Sequence, residues 1–173
     1  MTPDDLFTLL RGWLTSYLPR PRRLSPHTIR SYKTALNTLL VSLGNSRSLK
    51  LEQIGFSSMT DSSMSAFISW LMDVRHLGAS TANQRLAAVK SFLSYCAGEE
   101  PALVAIWLDV KRVRPARAPE RVPDALAMPA VEALIRAPGQ QTRHGLRDTL
   151  LILLMFDAAA RIQEVLDLTP ADI

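Results

Sequence analysis

Apolar residues recur along this chain at helical spacing, in stretches separated by short breaks rich in Pro, Gly and Ser. Over residues 4 to 18, Leu6, Leu9, Leu10, Trp13, Leu14 and Tyr17 stand at i, i+3, i+4 and i+7, which predicts an amphipathic helix. Pro19-Arg20-Pro21-Arg22-Arg23 ends it, because proline cannot continue a helix and its three arginines face water. Ser25-Pro26 then supplies a capping hydroxyl followed by proline at the first helical position. The helix behind it is expected to bury Ile29, Tyr32, Leu36, Leu39, Leu40 and Leu43, with Gly44 as its stop. Its opposite face carries Arg30, Lys33 and Asn37 on one stripe. Residues 45 to 60 read as a polar loop anchored by Leu51 and Ile54. A third helix is expected from about Ser62 to Arg75, with Met64, Phe67, Ile68, Leu71 and Met72 inward and Gly78 closing it. Ser80-Thr81 is expected to cap a fourth helix over about 80 to 97, ended by Gly98. Its core side is Leu86, Val89, Phe92, Leu93 and Cys96, while Gln84, Arg85 and Lys90 project elsewhere. A short helix near Ala102 to Leu108 follows. No stretch keeps a period of two long enough for a strand, so the fold class is all-α.

The last third reads differently. Pro115, Pro119 and Pro123 forbid a regular helix over 109–123, which reads as an interdomain linker. That segment holds Lys111, Arg112, Arg114, Arg117 and Arg121 against only Asp109 and Glu120. It is either a solvated tether or a basic strap over a phosphate backbone, where each cationic contact releases counterions. Met128 to Arg136 is a short helix, and an apolar helix runs from Arg147 to Phe156. Its seven consecutive apolar residues, Leu150 to Phe156, need burial on nearly every side. A turn at Ala158-Ala159-Ala160 leads to a helix opened by Arg161. A cation on such a platform is one way to aim charge at an anion, although on spacing alone an arginine there is more often solvated or salt-bridged.

Composition narrows the partners. The net charge of +4 permits a polyanionic partner without demanding one. The single cysteine, Cys96, excludes an intramolecular disulfide and fits a reducing cytoplasm, the expected location. His27, His76 and His144 show no metal-ligand spacing, so no metal is expected. Met1-Thr2-Pro3-Asp4-Asp5 lacks the basic start of a signal peptide. The longest apolar run is far short of the roughly 20 residues that span a bilayer, so no membrane partner is expected.

Three segments then share one resemblance. They are Ser25-Pro26-His27-Thr28-Ile29-Arg30-Ser31-Tyr32, then Ser80-Thr81-Ala82-Asn83-Gln84-Arg85-Leu86-Ala87-Ala88-Val89-Lys90-Ser91-Phe92, and a third in the last thirty residues. The third comprises Arg147-Asp148, Leu150 to Phe156, Ala158-Ala159-Ala160-Arg161, Ile162, Glu164, Val165, Leu168 and Asp172-Ile173. In this order and separation they resemble the tyrosine recombinases, the phage-integrase or XerC/XerD-like family, over about residues 4 to 173. The resemblance implies a SAM-like four-helix core-binding domain over 1–100, the basic linker over 109–123, and the beginning of the catalytic domain over 124–173, starting near Asp124-Ala125-Leu126. It implies double-stranded DNA as partner, with the second and fourth helices against the duplex and the linker passing along it. The candidate DNA-binding residues are accordingly Arg30, Lys33, Thr81, Gln84, Arg85, Lys90, Lys111, Arg112 and Arg114.

The family cleaves DNA by attack of a tyrosine on phosphorus, giving a 3′-phosphotyrosine without metal, nucleotide or small-molecule cofactor. Arginines neutralise the non-bridging oxygens, a task for which a planar, permanently charged fork is suited. By resemblance Arg161 is the first of these, with Glu164 one turn on as an orienting group or merely a surface charge. Ala158-Ala159 stands where the family has Thr-Gly; glycine permits φ > 0 and alanine resists it. The family's Lys, His-x-x-Arg box and tyrosine nucleophile lie well beyond its first arginine, and these 173 residues end twelve after Arg161. The strings His27-Thr28-Ile29-Arg30 and His144-Gly145-Leu146-Arg147 precede Arg161 and are coincidental, and Tyr17, Tyr32 and Tyr95 lie in the N-terminal bundle. The chain alone is therefore expected neither to cleave nor to rejoin DNA, and its leucine-rich helix to lack part of its cover. Other recombinase subunits are implied partners, since the family works as a tetramer on two duplexes. Two alternatives stay open: a DNA-binding regulator that competes with full-length recombinases, and a helical protein-interaction module with no nucleic-acid role.

Overall fold

Every regular element among the described residues is helical. The computed structural model describes residues 3–118, 124–139, 141–169 and 171–172. The chain separates into two units, Met1–Pro119 and Glu120–Ile173.

In the first unit, helix α1 (Pro3–Gly12) runs into one π turn (Trp13–Tyr17), where the Leu18 amide donates to the Trp13 carbonyl at 2.9 Å. Residues five apart on a regular α-helix point roughly 140° apart. The wider turn brings Trp13 and Leu18 to one side, and both are buried. Leu6 is buried with them, while Leu9, Leu10, Leu14 and Tyr17 are half-buried.

Helix α2 (Pro26–Arg47) starts as its sequence requires: Ser25 Oγ accepts the Thr28 amide at 3.2 Å, and Pro26 fills the first position. Leu36, Leu39, Leu40 and Leu43 are buried. The helix does not stop at Gly44. It ends at Ser48, a non-glycine residue at φ 51°, and the Leu49 amide closes back on the Gly44 carbonyl at 3.0 Å. A Cβ on Gly44 would stand 3.2 Å from the Leu49 carbonyl oxygen, so the glycine makes room for the returning chain. In the loop that follows, Ile54 is buried as expected, but Leu51 is 52% exposed, and Phe56 and Met59 take the anchoring role.

Helix α3 (Asp61–Asp73), capped by the Thr60 hydroxyl on the Ser63 amide, buries Met64, Phe67, Ile68 and Leu71. Helix α4 (Ala79–Glu99) buries Leu86, Val89, Phe92, Leu93 and Cys96. Gly78 is the N-cap of α4 rather than the end of α3, which places Ser80 and Thr81 inside the first turn; Gly98 stays within the helix. Trp13 sits at the meeting point of α1, α2 and α4. It stacks on Tyr32 with centroids 5.4 Å apart and packs at 5.2 Å on Phe92. Each such side chain contributes about 1.5–3 kcal/mol by leaving water. Helix α5 (Val104–Lys111) follows a 3-10 turn at Pro101–Leu103, and the core continues through Leu103, Val110 and Val113. Residues 112–118 form no helix, yet they are docked on α4 rather than loose. Pro119, Glu120, Arg121 and Pro123 of the expected linker, and Ile173 at the other end, lie outside the described residues.

The second unit holds α6 (Met128–Arg136), α7 (Arg143–Asp157) and α8 (Ile162–Leu166). Helix α7 begins one turn earlier than its apolar run, because Thr142 Oγ1 caps it by accepting the Gly145 amide at 3.0 Å. A Cβ on Gly145 would collide with the Gly139 backbone. Val131 and Val165 are the buried large apolar side chains of this unit among the described residues. Leu146, Leu150, Phe156, Ile162 and Leu166 are exposed. Among the described residues no helix is long and apolar enough to cross a membrane.

Candidate nucleic-acid interface

The expected cations fall into three groups, set by which helical face each occupies. On α2, residues 27, 30, 31 and 34 share a face, and on α4 Gln84 and Arg85 turn towards it. Together His27, Arg30, Ser31, Thr34, Ala35, Gln84 and Arg85 line a groove of about 330 Å³ with no carboxylate in its walls. A water-filled groove with walls of one sign concentrates an anionic partner.

Arg85 is held from the α2 side. Its Nη1 donates to Thr38 Oγ1 at 3.0 Å, and that hydroxyl donates to the Thr34 carbonyl at 2.7 Å. The Thr34 hydroxyl donates in turn to the Arg30 carbonyl at 3.0 Å. Arg85 Nε is buried and has no partner among the described residues. Such a donor costs about 1–3 kcal/mol, which a further acceptor would offset. Lys33 and Thr81 flank the groove in sequence but do not line it; Lys33 is exposed and Thr81 half-buried. His27, Ser31 and Thr34 belong to the groove without having been picked out as site residues. The signal was their i, i+4, i+7 spacing on a capped helix.

Lys90 stands apart. It is five residues beyond Arg85, hence roughly 140° around the helix. Its Nζ donates to the Lys111 carbonyl at 3.0 Å and the Val113 carbonyl at 2.7 Å. Partial burial holds its pKa below the ordinary lysine value. Asn83, on the same face seven residues earlier, makes a two-point bond to Ala116. Its Nδ2 donates to the Ala116 carbonyl at 2.8 Å, and its Oδ1 accepts the Ala116 amide at 2.7 Å.

The third group is carried by α5 and the docked segment. Lys111 lies 4.9 Å from the Trp107 ring centroid, and Arg112 pairs with Asp109 at 2.8 Å. Asp109 also accepts the Asp61 amide at 2.9 Å, at the start of α3. That amide first, then Arg112, holds the Asp109 carboxyl below its ordinary value. Arg114 and Arg117 are exposed, while Val113 and Ala116 turn inward.

In the second unit, Arg161 caps α8. Glu164 accepts both the Arg161 amide (2.8 Å) and its Nη1 (2.9 Å), and these bonds lower the Glu164 pKa. The Arg161 side chain is 85% exposed. Ala159, two residues before it, takes φ 50°.

The family model described as phage integrase, N-terminal SAM-like domain, matches residues 13–100, the stretch that contains the groove. The chain belongs to the phage-integrase, or tyrosine recombinase, family. Integrase/recombinase y4rD of Sinorhizobium fredii is 29% identical to it over 168 residues, covering 97% of this chain and 60% of that protein. The y4rC integrase/recombinase of the same organism is 28% identical over 98% of this chain and 51% of its own length. Tyrosine recombinase XerC of Chlamydia muridarum is 27% identical over 91% of this chain and 53% of its own length. The chain thus spans about half the length of the curated recombinases it matches. No solved structure matches it. The all-helical first unit contains the stretch matched by this SAM-like domain.

Proposed function

We propose that this chain binds double-stranded DNA as the DNA-embracing part of a site-specific tyrosine recombinase. The observation that carries the reading is the groove between α2 and α4, where Arg30 faces Gln84 and Arg85 with no carboxylate in the wall. Arg30 and Arg85 neutralise phosphates, and Gln84 supplies the amide that can read a base edge or fix the backbone. Lys33 and Thr81 extend the contact at its margins. Lys111, Arg112, Arg114 and Arg117 add a second basic run on the same unit.

Arg161 is the phosphate-binding arginine of the reaction centre, and Glu164 pre-orients it. The carboxylate grips the backbone amide and one guanidinium nitrogen, and the exposed side chain presents the rest of its fork to a phosphoryl group. Strand cleavage through a 3′-phosphotyrosine needs a tyrosine beyond Arg161, and these 173 residues hold none there. On their own they bind duplex without cleaving it. Tetrameric assembly with other recombinase subunits on two duplexes completes the reading.

Fluorescence anisotropy with a labelled duplex across a salt series tests it. Arg30→Ala should weaken binding several-fold and flatten the slope of log K against log salt by roughly 0.9. Arg75→Ala, whose guanidinium packs over Trp70 at 5.5 Å and away from the groove, should leave both nearly unchanged. Equal effects of the two substitutions, or binding indifferent to salt, would contradict the reading and favour a protein partner. A suicide duplex substrate should give no covalent adduct with these 173 residues.

A further inference from the structure

The basic segment after α5 is held on α4 by two side chains, one of them a cation that sequence reasoning assigns to DNA. Asn83 and Lys90 are seven residues apart, which is two helical turns and about 10 Å along α4. Residues 113 and 116, which they hold, are three residues apart, and extended chain covers about 10 Å over that span. The two spacings agree, so the segment runs along the Asn83 and Lys90 face of α4 from its middle towards its N-terminal half. Val113 is buried and Ala116 half-buried, while Arg112, Arg114 and Arg117 stay exposed. The bonds from Asn83 and Lys90 all go to backbone groups of residues 111, 113 and 116.

We propose that Asn83 and Lys90 are positioning residues: they seat residues 112–118 on α4 as a fixed strap, so that Arg112, Arg114 and Arg117 are held in place to bind phosphate. Lys90 spends its ammonium on the Lys111 and Val113 carbonyls and makes no phosphate contact of its own. This rests on the DNA-binding reading above. It adds that part of the affinity comes from bonds to the strap's own backbone, which order it before DNA arrives. A preordered cation loses less entropy on binding than one on a free tether.

The test uses the full chain and three variants: Asn83→Ala, which changes no charge, Lys90→Met, which removes the ammonium but keeps the stem, and Lys90→Arg as the conservative replacement. Each is checked for wild-type helical circular dichroism. Two readouts follow, the rate of tryptic cleavage after Arg112 and Arg117 without DNA, and duplex affinity across a salt series. The expected result is cleavage faster by about tenfold in Asn83→Ala and Lys90→Met, as loss of a pair of hydrogen bonds implies. Both should bind duplex several-fold more weakly, and Lys90→Arg should recover most of each effect.

Faster cleavage with unchanged affinity would overturn the positioning role while leaving DNA binding intact. Unchanged cleavage in both variants would overturn the strap itself. A salt slope flattened by roughly 0.9 in Lys90→Met, with Asn83→Ala like wild type, would make Lys90 a direct phosphate contact and overturn its assignment. Failure of the wild-type chain to bind duplex at any salt would overturn the DNA reading and the positioning claim together, and the cleavage arm would still report whether the strap is seated.

Discussion

The two units carry the same kind of sequence signal and use it in opposite ways. In the first, four helices turn their apolar stripes to one centre, and Trp13, Phe67, Phe92 and Leu39 lose essentially all contact with water. In the second, α7 carries seven consecutive apolar residues, Leu150 to Phe156, yet Leu150 remains 56% exposed and Phe156 47%. Periodicity tells which face of a helix is apolar; whether that face is covered depends on which elements are at hand. The cations follow the same division. In the first unit Arg85 is tied to α2 and Lys90 to the strap, whereas the guanidinium of Arg161 is bonded, among the described residues, to Glu164 within its own turn.

The contrast breaks most visibly at the core. Phe92→Ala removes the ring that packs on Trp13 and on Phe56 at 6.3 Å, and should cost about 3–5 kcal/mol. Leu150→Ala should cost less than about 0.5 kcal/mol, since the side chain is already in water. Urea denaturation followed by tryptophan emission reads the first unit, where Trp13, Trp70 and Trp107 lie, and amide exchange within α7 reads the second. Comparable losses from the two substitutions would erase the distinction.

A smaller effect is expected at the turn before Arg161. Ala159 holds φ 50°, a conformation glycine adopts freely, so Ala159→Gly should stabilise the α7–α8 turn by about 1 kcal/mol. Slower amide exchange around residues 158–166 is the expected signature, and faster exchange would place the turn elsewhere in φ,ψ space.

The smallest effect concerns pH. Asp109 has its pKa lowered by the Asp61 amide and Arg112, so its contribution is present above the ordinary carboxyl value of 3.8 and is lost as pH falls through the lowered one. Asp109→Asn should therefore unfold at slightly lower urea than wild type at pH 7, with the gap closing as pH falls through the lowered carboxyl value. A gap that persists in acid would mean the carboxylate charge is not what stabilises this junction.

Much of the fold was legible because its determinants are local. Ser25-Pro26 carries its own cap, and the core positions of α3 and α4 follow from spacing alone. What escaped depends on how the backbone closes on itself and on contacts that helical spacing does not encode. Gly44 looked like a stop, but its missing Cβ serves the approach of Leu49. The register change at Trp13–Tyr17 follows from the need to bury Leu18 beside Trp13, which no helical template anticipates. The candidate site divides the same way. Arg30, Gln84 and Arg85 were brought together because their helices pack side by side. Lys90 looked equivalent to Arg85 until the carbonyls of a segment some twenty residues on were found against it. Ala159 was visible in sequence as a departure from the resemblance, and its backbone takes a positive φ, the conformation that glycine adopts freely.

The most direct measurement of where this chain meets DNA is amide hydrogen exchange on the full 173 residues with and without a saturating duplex. Slowed exchange should concentrate in residues 26–35, 79–86 and 112–118, with α3 and the exposed apolar face of α7 unchanged. Slowing confined to α7 and α8, or none anywhere despite bound duplex, would contradict an interface built on α2, α4 and the strap.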